Sequence, residues 1–190
     1  MLKIIKPLSN DSNLIKQALK NDRRAQQQLY EKHAPKMLSL CKYYIKDFQQ
    51  AEEIMLNGFF KVFTKLSTFK NEGSFEGWIK RIMTWESISF LRKKSKLVFI
   101  DDMSYFEEID EIPPETLIPI EEIQSYIDEL PDASKVVFNL FVIEEYKHAE
   151  IAELLNITEG TSKTQLFRAR KALQKMLKTN QKQHHNEGHK

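Results

Sequence analysis

A tight turn near the carboxy-terminal end constrains this chain more than any other feature. Between Tyr146 and Leu177 the sequence reads as two helices set around Asn156. The first offers Ile151, Ala152, Leu154 and Leu155 as an inner face. Asn156 follows, and Asn is among the few residues besides Gly that tolerate the left-handed conformation of a helix stop. Ile157 plugs the turn, and Thr158 suits the N-cap of the next helix. That helix puts Leu166, Ala169 and Leu173 on one face at spacings of three and four, leaving Lys163, Thr164, Gln165, Arg168 and Arg170 largely elsewhere. The pattern is that of a helix-turn-helix with a basic recognition helix. The rest of the chain can be read by asking what this nucleic-acid reader is attached to.

With 190 residues, the chain has room for one large or two small domains, and a hydrophobic content of 41% supports packed cores. Five Gly and six Pro point to a mostly helical chain. No apolar run approaches the ~18 residues of a membrane span, so no membrane insertion is expected. The start, Met1 to Pro7, has too short an apolar core for a signal peptide. A single cysteine, Cys41, excludes an internal disulfide and a multi-cysteine zinc site. The expected setting is cytoplasmic.

Charge is unevenly distributed. From Leu97 to Ser134 there is no Lys, Arg or His but twelve acids, so the flanking parts carry 29 basic against 15 acidic groups, net +14. Two basic blocks around an acidic connector suit two nucleic-acid-facing modules, or a protein with an uneven surface.

Taken in order, residues 1–10 read as a loose arm. Asp11 or Ser12 can cap a short helix holding Leu14, Ile15, Ala18 and Leu19. Asn21-Asp22 breaks it and caps the next, in which Pro35 should kink or divide the helix. Residues 49–66 are the cleanest amphipathic segment, with Ala51, Ile54, Met55, Gly58, Phe59, Val62, Phe63 and Leu66 in helical register. Leu56 and Phe60 lie off that stripe as an outer apolar patch, covered by another helix of the same domain or touching a partner. Ser67 to Ser74 is a polar loop, and Ser74 caps a long helix running to about Lys96 with a basic end. Pro113, Pro114 and Pro119 interrupt the acidic stretch, helix resumes at Ile120, and Asp132 caps a bracing helix. After Met176 the tail reads as polar and disordered, its His184, His185 and His189 flexible rather than a metal site.

Two separated blocks now match one family in order and spacing. The first holds Leu29-Tyr-Glu-Lys-His-Ala-Pro35, Ala51-Glu-Glu-Ile54, Phe59 to Phe63, Gly73-Ser-Phe-Glu-Gly-Trp-Ile-Lys-Arg-Ile82 and Leu91-Arg92-Lys93. The second holds Leu130-Pro131, Glu150-Ile-Ala152, Leu155, Gly160-Thr161 and Arg168-Ala-Arg170. The chain resembles a bacterial RNA polymerase sigma factor of the extracytoplasmic-function (ECF) group. The resemblance implies an all-α fold of two helical domains: region 2 over 10–96, an acidic linker over 97–119, a region 4 helix-turn-helix over 120–177, and a tail over 178–190.

It also implies roles. Region 4 would sit on the polymerase flap and read the minus-thirty-five element through Lys163, Thr164, Gln165 and Arg168, whose types suit guanine and adenine. Arg170 and Lys171 would touch phosphate or polymerase. Region 2 would grip the polymerase clamp through Glu53, Leu56, Asn57 and Phe60. It would hold melted minus-ten DNA, with a base flipped out, through Asn71, Ser74, Phe75, Trp78, Arg81, Trp85, Arg92 and Lys93. The chain departs from the family at Leu56 and Asn57, where Gln then Glu is usual, and at Trp85, where Asn is usual. Trp85 can stack on a base or pack in the core. Implied partners are core RNA polymerase, promoter DNA and an anti-sigma factor, with no cofactor, no metal and no catalysis. The alternative is a divergent sigma-like regulator that binds polymerase or DNA without efficient promoter melting. An ordinary helix-turn-helix repressor would leave the first block unexplained.

Overall fold

The computed structural model describes residues 11–95, 97–99 and 120–187. The expected arm over 1–10 and nearly all of the 97–119 linker lie outside them. The described residues are helical and contain no strand. Two compact units divide at Phe90–Leu91, inside a helix rather than at the expected residue 96.

The first unit is built on α1 (Asp11–Ala18), α2 (Arg23–Tyr44), α3 (Phe48–Thr64) and α4 (Phe75–Ser95) as far as Phe90. Asn21 takes φ 62° and breaks α1 from α2, whose cap is the Asp22 carboxylate accepting from the Arg24 and Ala25 amides. Asp11 does not cap α1: it is the helix's first residue, and its carboxylate is buried against Lys32 and His33. Nor does Pro35 divide α2. Ala25, Leu29, His33, Met37, Cys41 and Tyr44 form one buried stripe through it, while Pro35 faces solvent, where the carbonyl it cannot bond can meet water.

On α3, Ala51, Ile54, Met55, Gly58, Phe59 and Val62 face inward, as their spacing requires. Gly58 lets α4 approach closely, since a Cβ there would overlap the buried Met83 sulfur. Phe75, Ile79, Met83 and Ile88 complete the core from α4. Each such aliphatic or aromatic side chain contributes about 1.5–3 kcal/mol on burial.

The second unit holds α5 (Ile120–Asp128), α6 (Asp132–Phe138), α7 (His148–Leu155) and α8 (Glu159–Glu187). Pro131 rather than Asp132 occupies the N-cap of α6, with no side-chain cap bond. A π-turn over Asn139–Ile143 follows, and Glu145 at φ 60° redirects the chain into α7. Both α6 and α7 pack on α8. The expected disordered tail over 178–190 is corrected as far as Glu187, to which the α8 backbone is helical. From Thr161 to Glu187 the sequence holds neither Gly nor Pro and is rich in Lys, Gln and Leu, all good helix formers. Residues 188–190 lie outside the described residues. No described helix is long and apolar enough to cross a membrane.

Candidate nucleic-acid interface

In the first unit, the loop between a 3-10 turn (Leu66–Thr68) and α4 shapes a cavity of about 360 Å³. Asn71 (φ 57°) and Gly73 (φ 103°) give the loop its left-handed bends. Ser74 then starts α4, its Oγ accepting from the Gly77 amide at 3.0 Å. The cavity lining includes Phe69, Lys70, Glu72, Ser74, Trp78 and Arg81. The Phe69 and Trp78 rings lie 5.5 Å apart in a tilted arrangement. Two aromatic faces beside Lys70 and Arg81 can stack a planar heterocycle and neutralise phosphate, while Glu72 and Ser74 offer acceptors.

Of the expected minus-ten residues, Ser74, Trp78 and Arg81 line this cavity; Asn71 is exposed on its loop. Phe75 is corrected. It is only 3% exposed and packs on the lining residues, 5.3 Å from Phe69 and 5.8 Å from Trp78. Trp85 is 44% exposed, which removes core packing as its role. Trp78, Arg81 and Trp85 recur at spacings of three and four, so they share one stripe of α4. Arg92 is half-buried and Lys93 exposed in the helix's last turn. Phe69, Lys70 and Glu72 were missed; their signal was an aromatic set beside a lysine in an otherwise polar loop.

The outer face of α3 presents Glu53, Leu56, Asn57 and Phe60, all exposed and spaced by three, one and three. Leu56 is 50% and Phe60 70% exposed, so no helix of the unit covers them. The first of the two expectations for this patch is thereby corrected. Beside it, Lys61 reaches across to Glu86 of α4 at 2.6 Å.

In the second unit, α7 ends at Asn156 in the left-handed conformation (φ 55°, ψ 53°). Thr158 Oγ1 accepts from the Thr161 amide at 3.0 Å and starts α8. Lys163 and Arg170 are exposed on the outer side of α8, with Lys163 near Glu159 at 3.9 Å, while Arg168 is half-buried and falls between Thr164 and Gln165 around the helix. Thr164 and Gln165 are corrected: they are 6% and 3% exposed. Gln165 Oε1 accepts from the buried Ser134 hydroxyl of α6 at 2.8 Å, a bond that locks α6 onto α8. Both side chains face the interior because α8 is covered from two sides, which widens its inner face beyond the Leu166–Ala169 stripe.

His148 also acquires a partner that the sequence did not reveal. Its Nδ1 lies 2.9 Å from Ser162 Oγ, and its ring stacks on Phe141 at 4.5 Å, with the Arg170 guanidinium 5.9 Å from the Phe141 ring centre. Partial burial, followed by the positive charge of Lys163, pushes His148 below the usual imidazole range, with Glu159 opposing.

Two family models match the chain, Sigma-70 region 2 over residues 29–97 and Sigma-70 region 4 over residues 120–173. The ECF RNA polymerase sigma factor SigW of Bacillus subtilis is 30% identical over 177 residues, covering 86% of this chain and 95% of SigW. This chain is an ECF sigma factor. The RNA polymerase sigma-H factor of Pseudomonas aeruginosa is 27% identical, covering 88% of this chain and 93% of its own length. Among solved structures, CnrH in complex with the cytosolic domain of CnrY superposes with a TM-score of 0.52 at 19% identity, covering 89% of this chain and 97% of CnrH. The sigma factor RpoE in complex with the anti-sigma factor NepR from Bartonella quintana gives 0.54 at 20% identity, covering 80% and 96%. These two likenesses bear on the fold.

As a sigma factor the chain directs core RNA polymerase to promoters. The aromatic cavity and the exposed α3 stripe belong to the region 2 match, and the helix-turn-helix to the region 4 match. The alternative of a divergent sigma-like regulator without efficient promoter melting is not favoured, since both family models and the SigW match are to sigma factors.

Proposed function

We propose that the region 2 cavity takes a base flipped out of the minus-ten element, stacked against the exposed side of the Phe69–Trp78 aromatic pair. Lys70 and Arg81 then meet the phosphates or the base edge, and Trp85, Arg92 and Lys93 extend the contact along α4. The mechanism is energetic: each base stacked on an aromatic contributes about 1–3 kcal/mol, and that binding offsets duplex opening. No bond is made or broken by this chain, which is therefore not an enzyme. Supporting the reading most directly is the 5.5 Å Phe69–Trp78 pair in a cavity whose other lining is charged and polar.

In the same reading, Glu53, Leu56, Asn57 and Phe60 dock on the polymerase clamp, the apolar Leu56 and Phe60 contributing by burial. Lys163 and Arg168 read the minus-thirty-five element, and Arg170 and Lys171 hold phosphate or polymerase. The functional domains are then 10–96 and 120–177, joined by the 97–119 linker, which its acids suit to a basic nucleic-acid channel. Relatives of this fold have been solved with the cytosolic domain of CnrY and with an anti-sigma factor. An anti-sigma partner in the cytoplasm is accordingly part of the proposal.

The test is a fluorescent base analogue placed at each minus-ten position of a promoter bound by the holoenzyme. One position should brighten in the wild type and not with Trp78→Ala, while minus-thirty-five protection persists. Equal opening by wild type and Trp78→Ala would refute the cavity assignment.

A further inference from the structure

Behind the cavity runs a buried chain of contacts that base stacking does not itself require. Phe69 and Trp78 form the walls, and Phe75 packs behind both. Against Phe75 stands His33 of α2, edge-on at 5.6 Å with the rings 77° apart. His33 is 4% exposed, and its Nε2 lies 3.3 Å from Asp11 Oδ2, close enough for charge attraction but not aligned as a hydrogen bond. Asp11 is itself 6% exposed, and its other oxygen holds Lys32 Nζ at 2.6 Å. One turn further along α2, Lys36 pairs with Glu76, the neighbour of Phe75, and this contact draws the Glu76 carboxyl below its usual range.

A leucine could fill the space behind Phe75 without the desolvation cost of a carboxylate and an imidazole. What an apolar residue would not supply is direction. A carboxylate 3.3 Å from an imidazole nitrogen biases the ring's orientation electrostatically, and an oriented ring edge favours one face of the aromatic it meets, because aromatic pairs prefer defined geometries.

Resting on the base-capture reading above, we propose that His33, beside Asp11, is a positioning residue for base capture: it sets Phe75 and thereby the placing of the Phe69 and Trp78 rings that line the cavity. It does not touch DNA. The sensitivity of base capture thus reaches back to the first residue of α1.

The experiment uses the full chain bound to core RNA polymerase. Affinity is measured for a single-stranded minus-ten oligonucleotide and for copies carrying an abasic site at each position in turn. In the wild type, one abasic position should lower affinity by about 5- to 150-fold, the range for one stacked base. His33→Ala should shrink that factor below about 3-fold while leaving affinity for the abasic strand unchanged. His33→Gln, which keeps a polar group toward Asp11 but no ring edge toward Phe75, should do the same in a protein that melts near the wild type. Asp11→Asn should give an intermediate factor. A factor lost in Trp78→Ala but retained in both His33 variants overturns this proposal and leaves the cavity assignment standing. Equal loss of affinity for intact and abasic strands also overturns it, since that is a general fold defect. If the wild type shows no abasic-sensitive position, the base-capture reading falls and this proposal with it.

Discussion

Replacing Gln165 by Ala should damage the fold of region 4 and not its base preference. Gln165 is 3% exposed and holds the Ser134 hydroxyl, itself 4% exposed, at 2.8 Å. Truncation leaves that hydroxyl buried without this acceptor, which costs about 1–3 kcal/mol. Lost packing adds about 0.8 kcal/mol for each buried methylene. The total of about 2–4 kcal/mol is a large share of the ~5–15 kcal/mol that holds a typical domain together. It should lower the melting midpoint by at least about 8 °C. The assay is thermal unfolding of the full chain followed by circular dichroism, with minus-thirty-five binding measured well below the variant's midpoint. Removing both polar partners, as Ser134→Ala with Gln165→Leu, should cost less than Gln165→Ala alone, because no orphaned group remains. Lys163→Ala is the contrast: an unchanged midpoint, with minus-thirty-five affinity weaker by about 1–3 kcal/mol. A Gln165→Ala protein with an unchanged midpoint and an altered base preference would refute the reasoning.

Two other outcomes follow from surface and charge. Leu56→Ala and Phe60→Ala should leave stability within about 0.5 kcal/mol, since both side chains are half exposed or more, yet weaken core polymerase binding in a titration by about 1 kcal/mol or more each; unchanged binding would remove α3 as the docking face. His148 has a depressed folded pKa, so the unfolded chain binds its proton first as pH falls. The stability it contributes is therefore complete above the unfolded value of 6.5 and lost as pH drops below it toward the folded value. Melting curves from pH 7.5 to 5 should fall less steeply for His148→Gln than for the wild type, and parallel curves would contradict the assignment.

Local signals were legible where one residue dictates one conformation. Asn156 in the left-handed region, Asp22 and Ser74 as caps, and the inward face of α3 all follow from backbone and periodicity rules that act within a few residues. Tertiary cover was less legible. The amphipathic pattern of α8 marks one inner stripe, but helices on two sides bury Thr164 and Gln165 as well. Phe69 and Phe75 carry the same side chain, and only the turn between them decides which lines the cavity and which supports it. Pro35 looked like a break because the solvent-facing side of α2, where a missing hydrogen bond costs least, cannot be read until the packing is known.

The central claim is that this ECF sigma factor brings core RNA polymerase to promoters and stabilises their opening. Run-off transcription from promoters upstream of its own gene, with core polymerase with and without the chain, tests it most directly. Discrete transcripts that depend on the chain and fall at least tenfold with Trp78→Ala are the predicted result. Tight binding to core polymerase with no transcript from any such promoter would contradict it.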